Sequence, residues 1–340
     1  MSGIVNDCSL YSMLLVLCYL LNLILIIPFF RYTIIVKRKV IFISFSFFLI
    51  LNIFIWSTIY LNAHRKLKVD FLDVGQGDSI YIEAPNGNNI LIDGGIDRKV
   101  LSSLGNVLPF AHKNINVVMA THPDADHIGG LPFVFDNYKI SVYVDNGAKS
   151  DSSVFKTLEN KIESEKSERV QAKTGMRIIL DQDKNIVFDV LSPYMNVQKV
   201  NDTNMGSIVG KLSYGSSTFM FTGDAPINVE QNLVKKSTRN NEQSDCVLCR
   251  PRYSGDPEKI DLESDVLKVG HHGSKTSSSE AFLKAVAPQF AIISVGLKNM
   301  YGHPHKEVID LLTKLGIKIL KTSEDGMIEC ETGGGEVVCK

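Results

Sequence analysis

Thr121-His122-Pro123-Asp124-Ala125-Asp126-His127-Ile128-Gly129-Gly130 places two imidazoles and two carboxylates within six positions. Imidazole nitrogen and carboxylate oxygen are common protein donors to divalent ions such as Zn²⁺ and Mn²⁺. Two ions sharing a bridging carboxylate form a hydrolytic centre, in which an activated water attacks a polarised atom such as phosphorus while the ions hold the charge on the nonbridging and leaving oxygens. One tight loop cannot coordinate two ions by itself, so distant turns must supply the remaining donors. The sequence offers Thr222-Gly223-Asp224, Gly270-His271-His272-Gly273-Ser274 and Tyr301-Gly302-His303-Pro304-His305, and six of the eight histidines fall in these histidine-bearing turns and the first loop, which scattered surface histidines would rarely do. On this reading His122 and Asp124 face one ion, Asp126 and His127 the other, Asp224 bridges, and His271 or His272 completes a shell. Asp126 and His303 are the expected catalytic residues, with His303 a candidate proton donor as well as a possible ligand.

The elements that must position these groups are short strands. The apolar run Val117-Val118-Met119-Ala120 stops at the first loop, as a buried strand would that delivers polar side chains at its C-terminal end. Asp73-Val74-Gly75-Gln76-Gly77-Asp78 and Ile92-Asp93-Gly94-Gly95 likewise set Asp73, Asp78 and Asp93 at strand ends, and Asp93 is expected to support the site by hydrogen bonding loop amides rather than to ligate. Ser207 to Leu212 and Ser217 to Phe221 read as a strand pair leading to Asp224. A helix is expected over about Ser278 to Ala287, with Ser274, Lys275 and Ser277 at its start, where amides and a cation can hold a phosphate.

At 340 residues and a formal net charge of -1, the chain has no generally basic, nucleic-acid-coating surface. Ser9 to Phe30 and Val40 to Ala63 are nearly uncharged and long enough to cross a hydrocarbon core of ~30 Å, which predicts a two-helix membrane anchor over 1–63 and a soluble domain over 64–340. Arg31, Lys37, Arg38 and Lys39 between the spans, against Arg65, Lys66 and Lys68 after them, favour a cytoplasmic connection and an outward-facing domain. Cys330 and Cys339 bracket a glycine-containing turn, so a hairpin can bring them together, and a disulfide there suits an extracytoplasmic domain. Cys246-Val247-Leu248-Cys249 reads as a local disulfide or two free thiols, inside a polar segment near 235–261 that looks like a surface insertion.

In order along the chain, Phe71-Leu72-Asp73-Val74-Gly75-Gln76-Gly77-Asp78, Ile92-Asp93-Gly94-Gly95, the loop His122 to Gly130, Phe221-Thr222-Gly223-Asp224, Val269 to Ser274 and Tyr301 to His305 resemble the metallo-β-lactamase superfamily, and within it the hydrolase domain of ComEC/Rec2 competence proteins, over about Lys68 to Thr332. The resemblance implies a four-layer αββα sandwich with a dinuclear site along one edge between the sheets. Against the superfamily's H-x-H-x-D-H, Asp124 stands where a histidine is usual, and the histidine that commonly precedes the Gly-Asp strand is missing, with Asn204 or Ser207 in that neighbourhood. A carboxylate hardens that position and makes Mn²⁺ a credible occupant beside Zn²⁺. The implied function is a membrane-anchored, metal-dependent phosphodiesterase acting on DNA, with a separate channel protein as partner if DNA is imported. Two other readings are hydrolysis of a small phosphoester or other ester, and a non-catalytic membrane accessory protein retaining the scaffold.

Overall fold

The computed structural model describes residues 15–24, 38–63, 65–109, 112–195, 197, 202–238 and 260–340. Cys246, Cys249 and most of the polar segment near 235–261 lie outside the described residues. The chain divides into two compact units, Met1–Ala63 and His64–Lys340.

In the first unit residues 15–24 are helical (α1) and a second helix, α2 (Arg38–Ala63), runs for 26 residues. Phe42, Phe45, Phe54 and Trp56 on α2 are exposed. Among the described residues no helix is long and apolar enough to cross a membrane. Both ends of the expected span Ser9 to Phe30 lie outside the described residues, and α2 covers the expected span Val40 to Ala63.

The second unit is built on two sheets. One has the order β15-β14-β1-β2-β3-β4-β5-β6, formed by β1 (Leu67–Phe71), β2 (Ile80–Glu83), β3 (Asn89–Ile92), β4 (Asn114–Ala120), β5 (Lys139–Asp145), β6 (Glu168–Gln171), β14 (Ile328–Thr332) and β15 (Val337–Cys339). The other has the order β13-β12-β11-β10-β9-β8-β7, formed by β7 (Arg177–Asp181), β8 (Ile186–Ser192), β9 (Val209–Tyr214), β10 (Ser217–Phe221), β11 (Val266–Lys268), β12 (Phe290–Ile293) and β13 (Lys318–Lys321). Phe71, Ile82, Ile92 and Met119 from the first sheet meet Phe188, Leu212, Phe219, Phe221 and Ile292 from the second in one buried cluster.

Each sheet is covered on its other face. α3 (Lys99–Val107), α5 (Leu131–Asn137) and α6 (Ser153–Glu165) bring Val100, Leu104, Phe135 and Leu158 against Tyr81, Leu91, Val118 and Tyr143. α7 (Ile227–Thr238), α8 (Glu280–Val286) and α9 (Lys306–Lys314) bring Val229, Leu233, Phe282 and Leu312 against Met220, Leu267 and Ala291. Burial on both faces is why the central strands read as continuous apolar runs rather than alternating ones, and the result is the expected αββα sandwich. The hairpin β14–β15 returns to pair antiparallel with β1, and the Cys330–Cys339 disulfide joins its strands.

Two boundaries differ from expectation. Residues Thr203–Gly206 form a 3-10 turn, so the strand expected from Ser207 begins at Val209. The helix expected from Ser278 begins at Glu280, because Ser279 caps it through the Phe282 N–H while the amides of Ser278 and Ser279 donate to the buried Glu230 carboxylate at 2.5 and 2.8 Å. That helix end is already satisfied from within the fold and is not a phosphate cradle.

Phe221 stacks on Phe188 at 5.8 Å and lies 6.3 Å from Phe71 across the sheets. Replacing it with alanine leaves a cavity where the sheets meet, and Phe221→Ala is expected to lower unfolding free energy by about 3–5 kcal/mol in a denaturant titration.

Candidate metal centre

The loops at the C-terminal ends of β4, β10, β11 and β12 open on one rim. β3, β4 and β5 run parallel, as do β10, β11, β12 and β13, so the loop after β4 faces those after β10 and β11. After β4, the chain turns directly into the short helix α4 (Ala125–Ile128), with Asp124 extended at its cap position, so Asp126 and His127 leave its first turn. Gly77 lets the β1–β2 loop lie against this turn: it has φ +116°, and a Cβ there would stand 1.9 Å from the Asp126 carbonyl oxygen. Gly129 is needed for the same reason, since its Cβ would lie 2.0 Å from the carbonyl of Ile96.

Asp224 is the hub. Its Oδ1 lies 3.3 Å from His127 Nε2, and its Oδ2 lies 3.6 Å from His271 Nε2, 3.7 Å from His272 Nε2 and 4.0 Å from His122 Nε2. Asp126 Oδ2 is 3.2 Å from His272 Nε2, and Asp124 Oδ2 is 3.7 Å from His122 Nε2. Two of the four overlapping donor groups among the described residues are His122–His127–Asp224 and Asp126–His127–His272, and the other two bring Asp78 to His127 with Asp93 and to His272 with Asp224; the ligand atoms in each lie within 4.8 Å of one another.

The outward nitrogens of the same rings are all engaged. His127 Nδ1 meets Asp93 Oδ2 at 2.8 Å, His122 Nδ1 meets Thr121 Oγ1 at 3.0 Å, His271 Nδ1 meets Thr276 Oγ1 at 3.0 Å, and His272 Nδ1 donates to the Ser294 carbonyl at 2.9 Å. Each ring is thereby oriented with Nε2 inward. Nε2 of His122, His127 and His272 and Oδ1 of Asp224 are buried with no hydrogen-bond partner. Buried polar atoms are rarely left unpaired, and unpaired imidazole nitrogens converging on a carboxylate are the donor set a divalent cation satisfies, so the residues present fit the two-ion expectation.

Three residues of the site carry backbone strain. Asp93, His271 and His272 adopt left-handed φ of 58°, 50° and 53°, which costs non-glycine residues about 1–3 kcal/mol each. The two consecutive left-handed residues let both neighbouring imidazoles, His271 and His272, approach Asp224.

Charge follows from burial and mutual proximity. Burial opposes protonation of His272, but the carboxylates of Asp224 and Asp78 outweigh it and hold the imidazole up at about 9. His127 is held well above its ordinary value, Asp224 and Asp93 overcoming the same burial penalty. Asp224 lies well below the usual carboxylate range, since His127 and His272 outweigh its burial. Burial and the neighbouring His127 push His122 down to about 4. Protons on His127 and His272 are thereby favoured beside the Asp224 carboxylate.

The residues expected at the site separate into groups. His122, Asp126, His127, Asp224 and His272 form the first two donor groups; His271 touches Asp224 from a less buried side. Asp124 is half exposed and its other oxygen accepts from Thr203 Oγ1 at 2.7 Å. Asp93 does more than hold loop amides: it accepts from the Thr121 N–H and hydroxyl and braces His127. Asn204 sits in the 3-10 turn beside Thr203 with its Oδ1 buried and unpaired. Asp73 stands apart, accepting from Lys99 Nζ at 2.8 Å and from the Gly75 N–H at 3.0 Å. Ser274 is buried and accepts from the Thr276 hydroxyl at 3.0 Å, while Lys275 is exposed. His303 is partly buried, 5.5 Å in ring separation from His271 and 6.4 Å from His272.

Asp78 and Lys268 form a fully buried ion pair, and Asp78 Oδ1 lies 3.2 Å from His272 Nδ1. The sequence reading missed Lys268. Its only signal is a lysine inside the apolar run Val266-Leu267-Lys268-Val269. The brace from Thr203 to Asp124 has no sequence signal at all.

Residues 72–296 match the metallo-β-lactamase superfamily. The chain is 30% identical over 289 residues to ComE operon protein 3 of Bacillus subtilis, covering 80% of this chain and 34% of that protein. It is 28% identical over 280 residues to competence protein ComA of Neisseria gonorrhoeae, covering 80% of this chain and 33% of that one. The chain thus spans about a third of the length of these curated relatives. The solved structure of the metallo-β-lactamase fold protein YhfI from Bacillus subtilis aligns with 81% of this chain and 100% of its own, at 11% identity and a TM-score of 0.47.

A cation entering this centre must displace the proton that His272 holds below about pH 9. Affinity for Zn²⁺ or Mn²⁺ is therefore expected to rise from pH 6 toward that value, with net proton release in calorimetric titrations run in buffers of different ionisation heat. Affinity that does not change with pH would contradict the placement of His272 as a ligand.

Proposed function

Because the chain belongs to the metallo-β-lactamase superfamily, we propose that it is a membrane-anchored, metal-dependent phosphodiesterase that cleaves DNA, with two divalent ions, Zn²⁺ or Mn²⁺, held by His122, Asp124, Asp126, His127, Asp224, His271 and His272. The observation that carries the metal assignment is the convergence of unpaired buried donor atoms on Asp224. When bound, such ions activate a water and stabilise charge on the phosphate oxygens.

The chain's own groups supply orientation. Asp93, Thr121, Ser294 and Thr276 fix the rings, and Asp224 reaches the imidazoles of His127 and His122. Burial, with His271 and His272 close by, pushes His303 down to about 4. It is therefore neutral at neutral pH and suits hydrogen-bond donation to a phosphate oxygen better than transfer of a full proton.

DNA is favoured as substrate because the relatives are competence proteins, and a separate membrane channel would then be the partner for import. Anchoring is supported by the apolar stretches Ser9 to Phe30 and Val40 to Ala63 and by the exposed apolar side chains of α2. An extracytoplasmic domain is supported by the Cys330–Cys339 disulfide.

The test is cleavage of labelled single- and double-stranded DNA by the detergent-solubilised full chain supplied with Mn²⁺ or Zn²⁺. Asp126→Ala and His127→Ala are each expected to lower the rate by on the order of 10³-fold. Cleavage that survives both substitutions excludes this centre as the site, and turnover of a small phosphodiester with none of DNA replaces DNA with a smaller substrate.

A further inference from the structure

The segment between β12 and α9 leaves the metal centre with Asn299 and His303 partly buried and Leu297, Met300 and Tyr301 exposed. Asn299 ties its ends together: Nδ2 donates to the carbonyls of Gly296 at 3.2 Å and His303 at 2.7 Å, and Oδ1 accepts from the His303 N–H at 2.9 Å. Its root is pinned as well, since a Cβ at Gly296 would stand 2.9 Å from the backbone nitrogen of Gln76. On this fixed backbone Leu297, Met300 and Tyr301 are 78, 96 and 63% exposed. Contiguous exposed apolar side chains rimmed by polar ones mark contact surfaces.

Position says what the contact is. The Tyr301 ring stacks on His303 at 5.8 Å and 22°, and His303 in turn packs near His271 and His272, so aromatic rings step from the buried donors out to solvent. Exposed cations flank this path, Lys298 on the loop itself and Lys275 next to Ser274. Stacking faces interleaved with cations are the means by which proteins hold single-stranded nucleic acid, the rings taking base faces and the cations the backbone.

We infer that Gly296 to His303 is a stacking lip that seats an unpaired nucleobase on Tyr301, flanked by Met300 and Leu297, while Lys298 and Lys275 hold the adjoining phosphates. The inference rests on the phosphodiesterase reading and deepens it: a duplex hides its base faces, so the lip selects single-stranded or frayed polynucleotide. A lipid surface would also accept Leu297 and Met300, but it gives no reason for Tyr301 to be seated on a ring that packs against two histidines of the metal centre.

The test compares binding of a fluorescent oligothymidylate with that of an abasic phosphodiester strand of the same length and charge, to the detergent-solubilised full chain in EDTA, where nothing is cleaved. The chain is expected to prefer the oligothymidylate by on the order of tenfold; Tyr301→Ala abolishes the preference and Tyr301→Phe retains it. Equal affinity for the two strands overturns the inference, as does a preference that survives Tyr301→Ala. An oligothymidylate preference that is untouched by Tyr301→Ala, together with sedimentation on phosphatidylglycerol vesicles that Leu297→Ser/Met300→Ser weakens, makes the lip a lipid contact, which also overturns it. Base-dependent binding by a chain that cleaves no phosphodiester supports the lip and defeats the hydrolase reading instead.

Discussion

A buried carboxylate surrounded by imidazoles sets the terms for this fold. Asp224 is 3% exposed and has four histidine rings within 4.0 Å. A charge so far from water must be compensated by its neighbours, because the effective desolvation penalty reaches several kcal/mol per ion. Protons on His127 and His272 or bound cations can provide that compensation, and apolar packing cannot. The left-handed turn at His271 and His272, the glycine contacts behind Asp126 and the braces on each outward nitrogen all hold donors near a charge that would otherwise be intolerable.

The donors come from different sheets. His122, Asp126 and His127 follow β4, whereas Asp224 follows β10 and His271 and His272 follow β11. The site therefore lies across the seam filled by Phe71, Phe188, Phe219 and Phe221, and its geometry is only as well defined as that packing. Interior packing is dense enough to transmit small displacements, so the apolar seam positions the donors as much as the loops that carry them.

The sequence revealed the parts of the site that use unusual residues at unusual density. The histidines, Asp126 and Asp224 stood out because ligands at strand ends are conspicuous in an apolar background, and the resemblance to the metallo-β-lactamase superfamily placed them along one edge. What stayed hidden depends on three-dimensional direction. Nothing in the order His271-His272 says that both rings reach Asp224, since this needs two left-handed residues in succession. Asp93 was legible as a supporting carboxylate but not as the brace on His127. The helix expected from Ser278 was misplaced by two residues because Glu230, from another helix, claims the amides of Ser278 and Ser279. The apolar N-terminal stretches were legible as hydrophobic runs, and α2 covers the second of them.

The ion pair of Asp78 and Lys268 reaches from the β1–β2 loop to the end of β11, with both side chains buried. Losing either partner alone strands the other as an uncompensated charge, at a cost of about 3–5 kcal/mol, a large fraction of the ~5–15 kcal/mol that stabilises a typical domain. Replacing both by apolar groups of similar volume is often neutral or better. For a drifting lineage this is a valley between two habitable sequences: each single step is penalised although the far side is not, so the two positions can change only together.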